Sequence, residues 1–336
     1  MVASQNHLSS EIGIEIIKKG GNAVDAAVAV GFSLAVTLPR AGNLGGGGFM
    51  LIYMKDRDEI LAIDYRGQSP EGLTTDQIFG VNLPYEYKRA NRDIVRYGYK
   101  ASTVPGTVSG LILAHSQFGK LPLEVVMRPA IEQAREGVNV SYDLEQAIAS
   151  APQLSWDPES KRIYFHEGKP LKRGEVMKRP DLANTMNQIS MNGLKGFYDG
   201  EVAEKIASSM AINGGEITTD DLKKYRARFT QPIGVNYRGN KVYTHGPPSG
   251  GGIVLLTALK VLEYFDLGKA GSNSAMSYHL IAEALRRGHN NRSHHVGDPS
   301  FYSVPYDQLM SNKRIKSFAK SISLKEASLA KEVMPL

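Results

Sequence analysis

Residues 18–30 read Lys18-Lys19-Gly20-Gly21-Asn22-Ala23-Val24-Asp25-Ala26-Ala27-Val28-Ala29-Val30. The glycine pair can adopt the left-handed backbone that ends a helix. Asn22 is a good N-cap residue for the next helix, and Asp25 follows where a carboxylate can meet free backbone donors. The stretch therefore predicts two successive helices, over residues 8–19 and 22–37, and the second, rich in Ala and Val, is expected to be buried.

A glycine-rich segment comes next and reads Ala41-Gly42-Asn43-Leu44-Gly45-Gly46-Gly47-Gly48-Phe49-Met50. No Gly-Lys-Ser/Thr sequence ends the run, and a strand rather than a helix follows it, which argues against a phosphate-binding loop. Close backbone packing is the favoured interpretation. Strands are predicted over residues 48–54 and 59–65, joined by a polar turn at residues 55–58.

The rest of the chain mixes helical and strand patterns. Helices are predicted at 106–118, 122–136, 141–148, 179–192, 199–213, 250–265, 274–288 and 306–330, with another starting near Thr219. A second hairpin is centred on Arg238-Gly239-Asn240. Residues 71–103 and 150–178 are predicted to be loops, the latter with short strands. Because no linker or repeat divides the sequence, we predict one α/β (α+β) domain over residues 1–336.

Composition excludes several classes of protein. The 336 residues are 42% hydrophobic and 22% charged, as in ordinary globular proteins, and no apolar run is long enough to span a membrane. The absence of cysteine excludes disulfides and thiolate metal sites. The net charge is only +6, and the basic residues are interleaved with acidic ones rather than clustered, which argues against nucleic-acid binding.

Arg66 is the strongest candidate for a functional residue. It stands at the end of a predicted strand, in Ala62-Ile63-Asp64-Tyr65-Arg66-Gly67-Gln68-Ser69-Pro70. The planar guanidinium is a fixed cation that suits bidentate recognition of a substrate carboxylate. From the residues alone, an ion pair with Asp64 or another nearby acid is the favoured alternative.

Other motifs point to structure rather than chemistry. Residues 246–252, Gly-Pro-Pro-Ser-Gly-Gly-Gly, open a helix whose free donors could face an anion. His289, His294 and His295 lack the i, i+4 spacing of metal ligands on a helix. Ser317 precedes Lys320 without any companion motif, so we predict an ordinary amphipathic helix there. The sequence thus indicates no catalytic residue, metal site or cofactor in this chain.

Taken together, separated motifs resemble the gamma-glutamyltranspeptidase family. They are residues 20–25, 43–50, 64–70, 104–108, 193–200 and 297–301. The family is made as a precursor that cuts itself into a large and a small subunit, and this chain looks like the large subunit alone. The resemblance implies an N-terminal-nucleophile hydrolase fold, an αββα sandwich shared with a small subunit that is not in this chain.

The resemblance also implies an activity. The family transfers the gamma-glutamyl group of glutathione or a similar donor to an amino acid, a peptide or water. Its nucleophile is the N-terminal threonine of the small subunit, which would lie beyond Leu336, with its own amino group as base. Arg66 matches the arginine that binds the donor's alpha-carboxylate. A bacterial periplasmic or secreted protein, its signal peptide removed, is expected.

Three positions depart from the family pattern. Gly67 stands where the family usually has glutamate, Gly250 replaces a serine, and Asn291 replaces an aspartate. Gly67 and Gly250 keep open a related acylase acting on cephalosporin side chains or poly-gamma-glutamate. A non-catalytic binding or scaffold homologue is the alternative of another class, and a partner chain without an N-terminal threonine would favour it.

Overall fold

The computed structural model describes residues 1–79, 97–329, 331 and 333. The chain divides into two compact units. The first comprises Met1–Phe49 and Ile63–Arg228, and the second comprises Met50–Ala62 and Phe229–Leu336. Each unit is therefore discontinuous in sequence, and the single domain over residues 1–336 stays a prediction.

The first unit opens with the two predicted helices, α1 (His7–Lys18) and α2 (Ala23–Thr37). Gly20 has a φ of +93°, the left-handed conformation expected between them. The Asn22 side chain accepts hydrogen bonds from the backbone amides of Val24 and Asp25. The Asp25 carboxylate accepts one from the backbone amide of Asn22 at 2.8 Å. This reciprocal capping box confirms the prediction made from residues 18–30.

Asp25 has a second structural role, since its fully buried carboxylate also accepts hydrogen bonds from the amides of Lys120 and Leu121. One side chain thus caps α2 and fixes a loop distant in sequence. Because it satisfies several buried donors at once, its burial is compensated by hydrogen bonds.

The chain passes into the second unit within β1 (Phe49–Met54) and returns within β2 (Glu59–Asp64). A 3-10 turn, Lys55–Arg57, joins these strands as predicted. The other α-helices and strands described in the first unit are α3 (Thr75–Phe79), α4 (Thr107–Phe118), α5 (Leu123–Glu136), β3 (Val138–Asn139), α6 (Tyr142–Ala149), α7 (Pro158–Tyr164), β4 (Phe165–His166), β5 (Lys169–Pro170), β6 (Val176–Met177), α8 (Pro180–Asn192), α9 (Lys195–Tyr198), α10 (Glu201–Ile212) and α11 (Thr219–Lys224).

Helix α7 corrects the loop predicted over residues 150–178. Asp157 caps it by accepting a hydrogen bond from the Ser160 amide at 2.8 Å, and Pro158 occupies its first position. An aspartate before a proline is a helix-start signal that the charged composition of the segment obscured. The short strands predicted there are present. The loop predicted over residues 71–103 is also corrected, because α3 and a 3-10 helix, Tyr99–Ala101, lie within it. Residues 80–96 of that loop lie outside the described residues.

The other described α-helices and strands lie in the second unit, except that β7 begins at Arg228, the last residue of the first unit. They are β7 (Arg228–Thr230), β8 (Pro232–Tyr237), β9 (Asn240–His245), α12 (Gly250–Leu262), α13 (Leu267–Ala270), α14 (Ala275–His295), α15 (Tyr306–Leu309) and α16 (Asn312–Lys320). β2 lies between β1 and β7 in a three-stranded sheet, and β8 pairs antiparallel with β9. Arg238 and Gly239 both have positive φ, as a two-residue hairpin turn requires.

Helix α14 is longer than predicted. The sequence pattern indicates an end at Gly288, but the helix continues to His295. A Cβ atom at position 288 would lie 2.6 Å from the carbonyl oxygen of Val254, so this glycine allows α12 and α14 to approach closely. The prediction was wrong because a packing glycine looks like a terminating one in a single sequence.

The predicted helical tail is also corrected. Regular helix ends at Lys320, and residues 321–329 follow without helix or strand. Before that point the predicted continuous helix is also broken at residues 310–311, between α15 and α16. Helix α16 is amphipathic, as predicted, and buries Ile315, Phe318 and Ala319. Ser317 lies on this helix, as expected from its lack of a nucleophile motif. The mixture of helices and sheets confirms the α/β class.

Candidate substrate-binding site around Arg66

Several glycines pack against the backbone segment that contains Arg66. Tyr65 and Gly48 exchange backbone hydrogen bonds of 3.0 and 3.2 Å, and the Gly106 amide donates to the Gly46 carbonyl at 2.7 Å. A Cβ atom at Gly106 would lie 1.9 Å from the Tyr65 carbonyl oxygen, and one at Gly110 would lie 2.2 Å from the Tyr65 ring. Within the glycine-rich segment, a Cβ atom at Gly47 would lie 2.6 Å from the same Tyr65 carbonyl oxygen. This segment therefore provides close backbone packing here, as predicted.

The backbone of Arg66 is held from both sides. Its amide donates to Asp64 Oδ1 at 3.1 Å, and its carbonyl accepts a hydrogen bond from the Tyr225 hydroxyl at 2.7 Å. The side chain itself is exposed, and its Cζ atom lies 5.8 Å from the centre of the Phe49 ring. A fixed backbone thus presents a solvent-accessible guanidinium.

Asp64 does not form the ion pair with Arg66 that the sequence favoured. Its Oδ2 atom lies 3.2 Å from Nη2 of Arg228, and its side chain is only 7% exposed. Within the described part of the chain, no carboxylate pairs with the Arg66 guanidinium. Arg66 therefore keeps its charge and its donors for a ligand, although its role in binding stays a prediction.

Two stacked tyrosines support the site. The rings of Tyr198 and Tyr225 lie 5.8 Å apart and 14° from parallel. Tyr198 donates to the Pro105 carbonyl at 2.8 Å and accepts from the Ser109 amide at 3.1 Å. Burial raises the pKa of both phenols well above the ordinary value, so both stay neutral hydrogen-bond donors.

Sequence reasoning missed the role of Tyr225. Its partner, Arg66, is 159 residues away in sequence, so no local pattern could connect them. Tyr198 lies within the motif over residues 193–200 that contributed to the family resemblance. That motif was therefore the available signal, although it did not point to the Arg66 segment.

Gly67, the departure beside Arg66, has a steric reason. A Cβ atom at this position would lie 2.1 Å from Thr103 Oγ1 and 2.9 Å from Thr103 Cβ. Backbone hydrogen bonds between Gln68 and Val104 hold the two segments at this separation. With Thr103 in place, position 67 has no room for the glutamate that the resemblance led us to expect.

The other candidates take structural places in the second unit. Gly250 begins α12, and a Cβ atom there would lie 2.6 Å from Arg292 Nε. Asn291 is fully buried and its Oδ1 accepts a hydrogen bond from Arg314 Nε at 2.8 Å. His289, His294 and His295 lie in the last turns of α14.

Neither a metal centre nor a membrane-spanning helix occurs among the described residues. No group of three or more His, Cys, Asp or Glu side chains there is arranged to hold a metal ion. No described helix has both the length and the apolar character that crossing a membrane requires.

Comparison with known proteins identifies the family. Residues 9–335 match the sequence model described as gamma-glutamyltranspeptidase. The chain belongs to the gamma-glutamyltranspeptidase family. It is 41% identical over 337 residues to the glutathione hydrolase proenzyme of Escherichia coli (strain K12), which aligns with 100% of this chain. The chain spans 57% of the length of that relative.

Two further comparisons set the fold and the range of the family. The crystal structure of Helicobacter pylori gamma-glutamyltranspeptidase superposes with a TM-score of 0.93 at 35% identity, over 100% of this chain and 95% of that one. The acylase ACY 1 proenzyme of Pseudomonas sp. (strain V22) is 34% identical over 312 residues, which are 92% of this chain and 56% of the acylase. The fold is that of the N-terminal-nucleophile hydrolases of this family, as the sequence predicted.

Proposed function

We propose that this chain is the large subunit of a gamma-glutamyltransferase that also hydrolyses glutathione. The observation that carries the proposal is the exposed guanidinium of Arg66, which no described carboxylate neutralises, on a backbone fixed by Asp64 and Tyr225. Membership of the gamma-glutamyltranspeptidase family and similarity to a glutathione hydrolase proenzyme support it.

In the proposed reaction, this chain binds and orients the donor. The alpha-carboxylate of the gamma-glutamyl group accepts two hydrogen bonds from the Arg66 guanidinium. The gamma-carbonyl then faces the N-terminal threonine of the small subunit. The threonine hydroxyl gives its proton to its own amino group as its oxygen attacks the carbonyl. The amine leaving group takes up that proton, and the remaining acyl-enzyme passes the gamma-glutamyl group to water or to an amine acceptor.

The partner subunit and the location are part of the same proposal. A small subunit made from the same precursor would account for much of the E. coli relative that this chain does not cover, since the chain spans 57% of its length. We propose that the protein is exported to the periplasm or the medium of a bacterium, which suits a sequence without cysteine.

Mass spectrometry and an activity assay on the full-length protein test this function. We expect two polypeptides, the smaller starting with threonine, and gamma-glutamyl transfer or hydrolysis with glutathione. A single intact chain without gamma-glutamyl activity would contradict the proposal. Two chains without an N-terminal threonine would favour the non-catalytic homologue.

An acylase is the second candidate, because Gly67 replaces the expected glutamate and the acylase ACY 1 proenzyme is 34% identical. Assays of glutaryl-cephalosporin and poly-gamma-glutamate beside glutathione separate the two. A higher activity on either of those substrates than on glutathione would support the acylase function instead.

A further inference from the structure

One face of α14 carries a row of polar side chains that hold the segment after α16. His279, Glu283, Arg287 and Asn290 are three or four positions apart, so they share a face of the helix. His279 Nε2 lies 2.7 Å from the Ser323 carbonyl oxygen, and Asn290 Nδ2 donates to the Val333 carbonyl at 2.7 Å. We call the described residues 321–329 and 333 the tail segment.

At the centre of this row is a buried ion pair. Glu283 and Arg287 are each 1% exposed, and Arg287 Nη1 lies 2.6 Å from Glu283 Oε2. The Glu283 carboxylate also accepts hydrogen bonds from the Ser328 amide at 3.1 Å and the Ser328 hydroxyl at 2.5 Å. The pair therefore binds directly to the tail segment.

The guanidinium of Arg287 makes further contacts with the same region. Its Nη2 donates to the Ser321 carbonyl at 3.0 Å and lies 3.2 Å from the Ser328 hydroxyl, and its Nε donates to the Phe318 carbonyl at 3.0 Å. A buried ion pair is costly unless its remaining donors and acceptors are satisfied. Here those partners come largely from the tail segment, so the pair is fully compensated only when the segment is in place.

We propose that Glu283 and Arg287 form a tail clamp, a pair of positioning residues that fixes the course of the tail segment and so sets where the chain beyond Val333 begins. The inference rests on the proposed function, in which the precursor is cut at a point beyond this segment. A clamped segment holds the cut site at a high local concentration near its reacting group, whereas a free one samples many positions.

Hydrogen exchange tests the clamp itself, on the full-length protein. Ser328→Ala removes one partner of Glu283 without placing a lone charge in the interior. We expect amide exchange in residues 321–329 to become about tenfold faster, as for the loss of a hydrogen bond to a charged group. Peptides from α1 and α2 should be unchanged, and Ser328→Thr, which keeps the hydroxyl, should retain slow exchange.

Glu326→Gln is the matched control, because this exposed residue belongs to the same segment and its side chain makes no hydrogen bond or ion pair with α14 among the described residues. It should leave exchange unchanged. Equal exchange in Ser328→Ala and the wild type would overturn the clamp. So would an equal rise in all peptides, which would report a loss of stability instead.

Precursor processing tests the positioning role. Glu283→Gln combined with Arg287→Met removes both charges at similar volume and should free the tail segment. We expect self-cleavage to slow on the order of tenfold, while kcat and KM of the matured enzyme stay unchanged, since neither clamp residue belongs to the candidate site around Arg66. Wild-type cleavage with a freed segment would overturn this role. A wild-type precursor that never cleaves would refute the proposed function instead, and the exchange result would still decide whether the clamp exists.

Discussion

The carboxylate of Asp64 lies 3.2 Å from Nη2 of Arg228, and this pairing leaves the neighbouring Arg66 without an acidic partner among the described residues. The other carboxylate oxygen of Asp64 accepts the Arg66 amide at 3.1 Å. Asp64 thus fixes the backbone of Arg66, while the negative charge of Asp64 is paired with Arg228. This division of roles makes Arg66 available to an anionic ligand.

Replacing Arg66 tests the site directly. A charge-assisted hydrogen bond to a carboxylate contributes about 1.5–3 kcal/mol, so Arg66→Ala should lower kcat/KM for a gamma-glutamyl donor by about tenfold to a hundredfold. Arg66→Lys should restore only part of this loss, because lysine lacks the planar fork. Self-cleavage should be intact. Steady-state kinetics measure these effects. Arg57→Ala, at an exposed arginine of the β1–β2 turn, is the control. If both alanine variants have the same kcat/KM, Arg66 is not part of the binding site.

Arg228→Met tests whether Arg228 keeps Asp64 away from Arg66. Without Arg228, the Asp64 carboxylate would be free to attract the Arg66 guanidinium and compete with the donor. We expect KM to rise severalfold with little change in kcat, which is the pattern when binding of the substrate and of the transition state is weakened equally. Arg228→Lys keeps the charge beside Asp64 and should behave nearly as the wild type. A fall in kcat at constant KM would assign Arg228 a different role.

The sequence predicted local structure well where the signals were local. The capping box of Asn22 and Asp25 is encoded within four residues, and Gly119 and Gly137 end their helices where expected. Arg66 was found through a motif that resembles the family pattern. The residues that position it could not be found in this way, because Asp64 and Arg228 are 164 residues apart and only the folded chain brings them together.

The same limit explains two of the helix corrections. Helix α14 continues through Gly288, because Val254, which is distant in sequence, packs where a side chain at position 288 would lie. The helix after Lys320 was predicted from a charged, helix-favouring composition, but the buried pair Glu283 and Arg287 binds residues 321 and 328 in an irregular conformation instead. In both cases tertiary contacts override a weak local preference.

Gly67 and Thr103 should behave as a coupled steric pair. Gly67→Ala would bring a Cβ atom within 2.9 Å of Thr103 Cβ, and overpacking of this kind costs about 1–3 kcal/mol. Thr103→Gly removes the conflict, so the double variant should recover at least about 1 kcal/mol relative to additivity. Denaturant unfolding measures each corner of the cycle. Gly45→Ala is the control, since its Cβ would lie 3.5 Å from Asn43 Oδ1; strict additivity would show that Thr103 does not constrain position 67.

Asp221 should make stability sensitive to acid. This carboxylate is 7% exposed and accepts hydrogen bonds from the Glu71 amide, the Thr218 amide and the Thr218 hydroxyl. Burial alone would raise the pKa of Asp221, but these hydrogen bonds outweigh it and the net pKa is lowered. A lowered carboxyl pKa stabilises the fold above the unfolded value, near pH 4, and the effect is lost as the pH falls below it.

Asp221→Asn should therefore cost about 1–3 kcal/mol in the free energy of unfolding at pH 7. The difference from the wild type should shrink as the pH falls below about 4. Denaturant unfolding of both proteins between pH 7 and pH 3 measures this. A difference that is constant over the whole range would show that the charge of Asp221 does not contribute.

Donor specificity gives the last test of the site. An arginine left without its anion loses both the ion pair and its hydrogen bonds, so a donor without a free alpha-carboxylate should be poor. An amidated gamma-glutamyl anilide should therefore show a much lower kcat/KM than the free acid. Because Arg66 is exposed and Gly67 leaves the wall beside it without a side chain, water will solvate the guanidinium in part and moderate the loss. In Arg66→Ala the acid and the amide should react at similar rates, since the group that distinguishes them is gone. If the wild type has a similar kcat/KM for the acid and the amide, Arg66 does not recognise the alpha-carboxylate. That result would support the acylase function.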